Sequence, residues 1–215
     1  MAEGLLLSED EFHQGIYELK ELSDRIGDLW VLASEKSSKF LSKRVIQYLP
    51  LCPEQTDDSP RDEIAVLEKE ESLETLSDLE ITATETSERI LCSCEYHIIF
   101  SSSYGVPVLY FNFYKQDGSL LKLNDVWSTI PDAFNDRLIE EKWTFITQQE
   151  HPIRHKPFFH LHPCHTGQLM KASSSLSTSN TPLEYIIRWM SSIAPVVHLN
   201  VPMKYAHFLP DGTPG

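Results

Sequence analysis

Apolar residues first recur at helical spacing near the start of the chain: Phe12, Ile16, Leu19, Leu22, Ile26 and Leu29. Ser8 stands just before this run and Glu11 three residues on, the two halves of a capping box. The pattern predicts an amphipathic helix over residues 8–29. Its opposite face is polar and acidic, with Glu9, Glu18, Glu21 and Asp24. An anionic membrane surface selects a basic face, so this helix reads as one packed on a core. Trp30 to Ala33 and Arg44 to Leu51 then read as strands joined by a polar Ser/Lys turn.

The β signal returns after residue 89. "RILCSCEYHIIFSS" and "VPVLYFNFYK" are rich in β-branched and aromatic residues. "QDGS" predicts a hairpin turn at Asp117-Gly118, with "LLKL" as the returning strand. "PDAFNDRLIEEKW" predicts a short helix starting near Pro131, and residues 144–162 an extended stretch punctuated by Pro152 and Pro157. "TPLEYIIRWMSSI" is the second clear helix, with Thr181 as cap, Pro182 at the first helical position and Glu184 completing a capping box. Ile186, Trp189, Met190 and Ile193 form its apolar face, and Pro195 ends it. Helix, antiparallel strands and helix in that order make an α+β fold with an open sheet.

Between the two β regions the pattern fails. Residues 53–89 contain no aromatic residue and carry thirteen acids against three bases, a net charge of -10. The whole chain carries -14, so the other 178 residues are only mildly acidic. The expectation is a single domain, 1–215, with 53–89 as a disordered acidic insertion in it, either a solvated linker or a docking segment for a basic partner. The same balance excludes nucleic acid as the main partner, since phosphates need basic faces. At 215 residues and 41% apolar composition the chain can bury a sizeable core. No run approaches the roughly 18 apolar residues of a membrane span, and the N-terminus lacks the form of a secretory signal. A cytoplasmic protein with reduced thiols, without stable membrane insertion, is expected.

Chemistry concentrates in "FFHLHPCHTG", Phe158 to Gly167. Five of the nine histidines lie between His151 and His165, and Cys164 follows a His-Pro pair. Proline restricts the residue before it to extended geometry, so His162-Pro163 should end a strand and put Cys164 at its mouth. Thr166-Gly167 should follow as a turn. The N–H groups of His165, Thr166 and Gly167 could then form a nest that favours a thiolate and a developing oxyanion. Three chemistries compete. His160, His162 and Cys164 alternate and could supply three zinc ligands, although no second cluster offers a clear fourth. A histidine could take the thiol proton, as in a cysteine hydrolase. Or the thiol could carry an acyl group as a thioester and pass it to an amine. Cys92 and Cys94, two apart on one strand face, read as small buried residues.

"EHP" at Glu150-His151-Pro152, "HPC" a dozen residues later, and the "EYIIRWMSSIAPVVHLNVP" helix together resemble the autophagy branch of E2-like conjugating enzymes. The resemblance covers about residues 8–52 and 90–205, and "HPCHT" is its most specific element. Two kinds of member share this frame: one transfers a ubiquitin-like protein to phosphatidylethanolamine, the other joins a ubiquitin-like protein to a protein. The short chain, the acidic first helix, "SYGVPVLYF", and His165-Thr166-Gly167 after the cysteine look like the second kind. An inactive E2-like adaptor is a further alternative, against which the intact Cys164 argues.

The resemblance implies an E2-like fold and a thioester on Cys164, with no cofactor and no metal. It implies loading by the E1-like autophagy-related protein seven with the ubiquitin-like autophagy-related protein twelve. A lysine of autophagy-related protein five would be the acceptor, and the lipid-conjugated autophagy ubiquitin-like proteins would be further partners. Ubiquitin E2s place a His-Pro-Asn motif before their cysteine; none exists here. Thr166, the nest amides and Tyr104, which the resemblance matches to a family tyrosine near the cysteine, are the candidates for supporting the oxyanion. Thr166 reads equally as a turn cap and Tyr104 as a sheet-packing ring. His162 reads as a strand-end residue that orients the loop rather than as a base. The sheet edge near the Gly118 hairpin and the first helix are the expected partner surfaces, an open edge being a template for strand addition.

Overall fold

The computed structural model describes residues 5–35, 38–51, 88–131, 146–174 and 181–208. Helix α1 spans Glu9–Ile26. The Ser8–Glu11 box forms in both directions: the Glu11 carboxylate accepts from the Ser8 N–H at 2.7 Å, and the Glu11 N–H donates to Ser8 Oγ at 3.2 Å. The helix stops three residues earlier than the periodicity predicts. Gly27 takes the left-handed conformation at φ 76°, and the Asp28 N–H closes back on the Ser23 carbonyl. Leu29, expected on the buried face, lies beyond this cap and is exposed.

Strands β1 (Val31–Glu35), β2 (Ser38–Leu51), β3 (Glu88–Ser101) and β4 (Val106–Tyr114) follow. β2 and β3 pair in register out to Leu51 and Glu88. The chain thus leaves the sheet and re-enters it at one point. The acidic stretch lies outside the described residues except for Glu88 and Arg89, which already belong to β3. The hairpin turn forms as expected, with Gly118 at φ 82°. Its returning strand does not: "LLKL" contributes a single bridge, Leu120 to Tyr114. Helix α2 (Leu123–Thr129) intervenes, opened by the Asp125 carboxylate accepting from the Lys122 N–H at 3.2 Å. The helix predicted over "PDAFNDRLIEEKW" falls almost wholly outside the described residues.

β5 (Ile146–Glu150) and β6 (Pro157–Leu161) complete a sheet of order β1-β2-β3-β4-β6-β5 in which every pairing is antiparallel. The edges among the described residues are β1 and β5, so the Gly118 hairpin is not an edge strand as expected. A 3-10 turn, Pro163–His165, leads into helix α3 (Thr166–Ser174), and α4 spans Pro182–Ile193. Thr181 caps α4 by accepting from the Glu184 N–H at 3.3 Å, while the Glu184 carboxylate pairs with Arg188 at 3.0 Å. The result is the α+β architecture that the order of elements predicts.

The two sheet faces differ. Alternate residues of β3 and β4, including Cys94, Tyr96, Ile98, Leu109, Phe111 and Phe113, join α1 and α4 in one apolar core. Gly15 makes the α1–α4 approach possible: a Cβ there would lie 2.6 Å from Ile186 Cδ1 and 2.8 Å from the Pro182 carbonyl oxygen. The other face carries Glu95, His97, Tyr110 and His160, partly covered by the loop between β5 and β6. No described helix is long and apolar enough to cross a membrane.

Candidate active site

β6 and the proline together deliver the cysteine. Phe158, Phe159 and Leu161 are buried, which fixes the strand, and Pro163 is buried at its end. His162 keeps extended geometry at φ -66° and ψ 128°, as a residue before proline must. The chain then turns sharply, and Cys164 is exposed on the turn, outside any disulfide. Its backbone N–H donates to His162 Nδ1 at 3.2 Å. A ring nitrogen that accepts carries no proton, so the neutral His162 ring bears its hydrogen on Nε2. His162 is the N-cap of the turn.

The turn after Cys164 is not the loop expected from Thr166-Gly167. Thr166 begins α3, is buried, and gives its N–H to the Pro163 carbonyl. That amide is committed within the turn, which dismantles the three-amide nest. What replaces it is the N-terminal end of α3, two residues beyond the cysteine. The unsatisfied amides of a helix's first turn carry a partial positive charge, which favours a thiolate and a developing oxyanion. Burial makes Thr166 a packed helix-start residue.

Tyr104 sits on the turn between β3 and β4, and its ring meets the His162 ring edge-on at 5.7 Å. The structure thus brings Tyr104 and His162 together beside the Cys164 turn. Residues outside the motif hold this arrangement. The Leu7 N–H donates to the Gly105 carbonyl at 2.8 Å and the Leu5 N–H to the Gly167 carbonyl at 3.1 Å. The Tyr185 hydroxyl donates to the Leu5 carbonyl at 3.0 Å. The segment Leu5–Leu7 therefore ties the Tyr104 turn to the start of α3, with α4 holding the tie.

The other predicted chemistry separates in space. His160 is buried, stacks on Tyr110 at 5.4 Å and donates from Nδ1 to the Thr147 carbonyl at 3.2 Å. Desolvation lowers its pKa, which keeps it neutral. His160, His162 and Cys164 do not converge, and the described residues contain no cluster of three groups able to hold a metal. Cys92 and Cys94 are core residues, and burial pushes the Cys94 thiol up to about 12. Neither supplies a thiolate near neutrality.

Sequence reading gave no role to Glu95, His97 or His151. The signal was present: Glu95 and His97 are two apart on an otherwise apolar strand, hence on one face. His151 Nδ1 accepts from the N–H groups of Ile153 and Arg154 at 3.2 and 3.0 Å. Its proton is therefore on Nε2, which donates to His97 Nδ1 at 2.9 Å. His97 in turn directs Nε2 at Glu95, 3.3 Å away. The His97 imidazole, chiefly, with Arg44 adding, holds the Glu95 carboxyl down to about 2 against the burial that opposes it.

A family model, autophagocytosis-associated protein, active-site domain, matches residues 11–204. The chain belongs to this family. The ubiquitin-like-conjugating enzyme ATG10 of Homo sapiens is 35% identical over 96% of this chain and 95% of its own length. The enzyme of the same name from Arabidopsis thaliana is 36% identical over 81% of this chain and 78% of its own. Among solved structures, the crystal structure of the autophagic E2 Atg10 covers 92% of this chain and 100% of that one, at 14% identity and a TM-score of 0.48. Family membership makes this chain an E2-like conjugating enzyme of autophagy. Within the family match lie all four candidate residues, Tyr104, His162, Cys164 and Thr166.

Proposed function

We propose that Cys164 accepts the ubiquitin-like autophagy-related protein twelve from the E1-like autophagy-related protein seven, as a thioester. It then passes it to a lysine of autophagy-related protein five. The observation that carries this reading is the Cys164 turn itself: an exposed thiol, its backbone fixed by His162, at the N-terminal approach to α3. Loading exchanges one thioester for another: the Cys164 thiolate attacks the carbonyl, the C–S bond to Cys164 forms, the C–S bond to the E1 cysteine breaks, and the E1 sulfur leaves as a thiolate. Discharge forms an isopeptide C–N bond, breaks that C–S bond, and returns Cys164 with the proton that the lysine gives up. An activated thioester needs little further bond weakening, so the task is to position two proteins.

Within this scheme His162 orients the turn, Tyr104 borders the thiol's surroundings, and the positive end of α3 favours the developing oxyanion. Thr166 serves by packing. The lysine, with a reference pKa of about 10.4, must still lose a proton, and the docked acceptor has to supply that environment. The test is incubation with the E1, ATP and either the proposed modifier or a lipid-conjugated one, followed by acceptor protein or phosphatidylethanolamine vesicles. Protein twelve loaded as a reductant-sensitive adduct and moved to a lysine of protein five is the expected result. Transfer to phosphatidylethanolamine instead would assign the lipid reaction, and loading of neither modifier would leave an adaptor.

A further inference from the structure

We propose that His151 is a positioning residue for the Cys164 turn, acting through the rings of Tyr110 and His160. The proposal rests on Cys164 being the transfer thiol.

β6 leads directly into the Cys164 turn, yet it is weakly indexed on the sheet. Only Phe159 and His160 pair in register with β4, and β5 on its far side is an edge strand among the described residues. The lateral position of the β6 exit therefore depends on side chains. On the outer face the His160 ring stacks on Tyr110 at 5.4 Å with an interplanar angle of 22°. Tyr110 also packs against His151, with ring centroids 5.3 Å apart. His160 lies 6.0 Å from His162, the ring that caps the Cys164 N–H. The contacts are continuous from His151 to the cysteine.

His151 is suited to anchor such a row. It is fully buried, and both ring nitrogens are engaged in one tautomer: two loop amides donate to Nδ1, and Nε2 donates to His97. His97 leads on to Glu95, which Arg44 and Arg154 grip at 3.1 and 3.3 Å. One end of the row is thus bound through the buried His97 to the Glu95 ion cluster, and the other reaches the turn that presents the thiol. Without the His151 ring, Tyr110 gains room to tilt, the His160 stack loosens, and the His162 cap moves with it. Displacements of about 1 Å remote from the chemistry cost transfer rates on the order of 100-fold.

The experiment uses the full chain with its E1, ATP, modifier and acceptor. His151→Asn keeps a side-chain acceptor for the Ile153 and Arg154 amides but deletes the ring. Tyr110→Leu removes the stack; Tyr110→Phe keeps it. Loading of Cys164 and single-turnover discharge are measured separately, across acceptor concentrations, beside the melting temperature. The expected result is discharge slowed about 10- to 100-fold at saturating acceptor in His151→Asn and Tyr110→Leu, with unchanged acceptor KM. Tyr110→Phe should discharge like wild type, and the double variant no more slowly than either single one. Wild-type discharge in both ring-deleted variants, or a loss confined to KM, overturns the proposal. So does a loss that merely follows the unfolded fraction. If His151→Asn does not fold, the Tyr110 pair decides alone. A wild-type chain that forms no reductant-sensitive adduct overturns the thioester reading and the proposal with it, a result distinct from normal loading with normal discharge in the variants.

Discussion

Alanine at Gly15 sets two effects of known size against each other. Gly15 lies in the interior of α1, where alanine is favoured over glycine by about 1 kcal/mol. On a free helix Gly15→Ala would stabilise. Here the new Cβ would sit 2.8 Å from the Pro182 carbonyl oxygen and 2.9 Å from its carbon. Ile186 Cδ1, at 2.6 Å, ends a side chain and can rotate away. The Pro182 backbone cannot, because it opens α4. Overpacking of this kind costs about 1–3 kcal/mol and here involves backbone. Because backbone is involved the upper end of that cost applies, and the net expectation is a loss of about 2 kcal/mol, a drop of roughly 4–8 °C in melting temperature for a chain of this length. Displaced α4 would also carry Tyr185, which holds the Leu5 carbonyl and so the tie across the candidate site. Urea unfolding followed by Trp fluorescence measures the loss. A midpoint equal to or above wild type would refute the claim that the α1–α4 approach requires glycine.

Acid should act on the buried Glu95–His97–His151 relay in two windows. Desolvation chiefly, with neighbouring positive charge, lowers the His151 pKa from 6.5 to about 4, so its stabilisation is complete above 6.5 and lost as pH falls through about 4. Glu95, lowered from 4.5 to about 2, contributes above 4.5 and loses its contribution as pH falls through about 2. Each fall corresponds to about 3 kcal/mol, less when combined because both groups share His97. Urea midpoints from pH 7 to 3 should decline throughout, with the decline between 6.5 and 4 flattened in His151→Asn; a flat wild-type profile would contradict the tautomer assignment. Asp28→Ala would strand Lys43, paired at 2.5 Å with both side chains buried, and deprive the Tyr205 hydroxyl of its acceptor. A loss of about 3–5 kcal/mol is expected by urea unfolding, and a loss below about 1 kcal/mol would contradict a buried charge pair. His162→Ala should lower stability by about 1 kcal/mol through the lost cap and slow discharge by less than about 100-fold; a loss of 10³-fold or more would make the ring a proton carrier instead.

Much of the frame could be read from local chemistry. The Ser8 box, the alternation in β3 and β4, and the Thr181-Pro182 start of α4 act within a few residues and survive in the fold. The mouth of the β6 strand follows from the restriction Pro163 places on His162. Local reading failed where a cap or a distant contact overrides a pattern. Gly27 ends α1 although Leu29 continues its periodicity, and the Lys122–Asp125 bond opens α2 where the returning strand was expected to run on. The same holds at the site. Cys164 and His162 are neighbours in sequence, but Tyr104 and the Leu5–Leu7 tie arrive from elsewhere in the chain. His97 and His151 are 54 residues apart, and no periodicity links them. The zinc pattern of His160, His162 and Cys164 assumed a strand that continues through Pro163, whereas the chain turns there.

Whether Cys164 takes up the modifier is decided by a loading experiment. Wild-type protein, E1, ATP and modifier are mixed, quenched without reductant, and the adduct is located by mass spectrometry. One modifier on Cys164 is expected, released by thiol reductant, absent in Cys164→Ala and hydroxylamine-labile but reductant-stable in Cys164→Ser. An adduct on Cys92 or Cys94, or none on Cys164 while the E1 itself is charged, would contradict it.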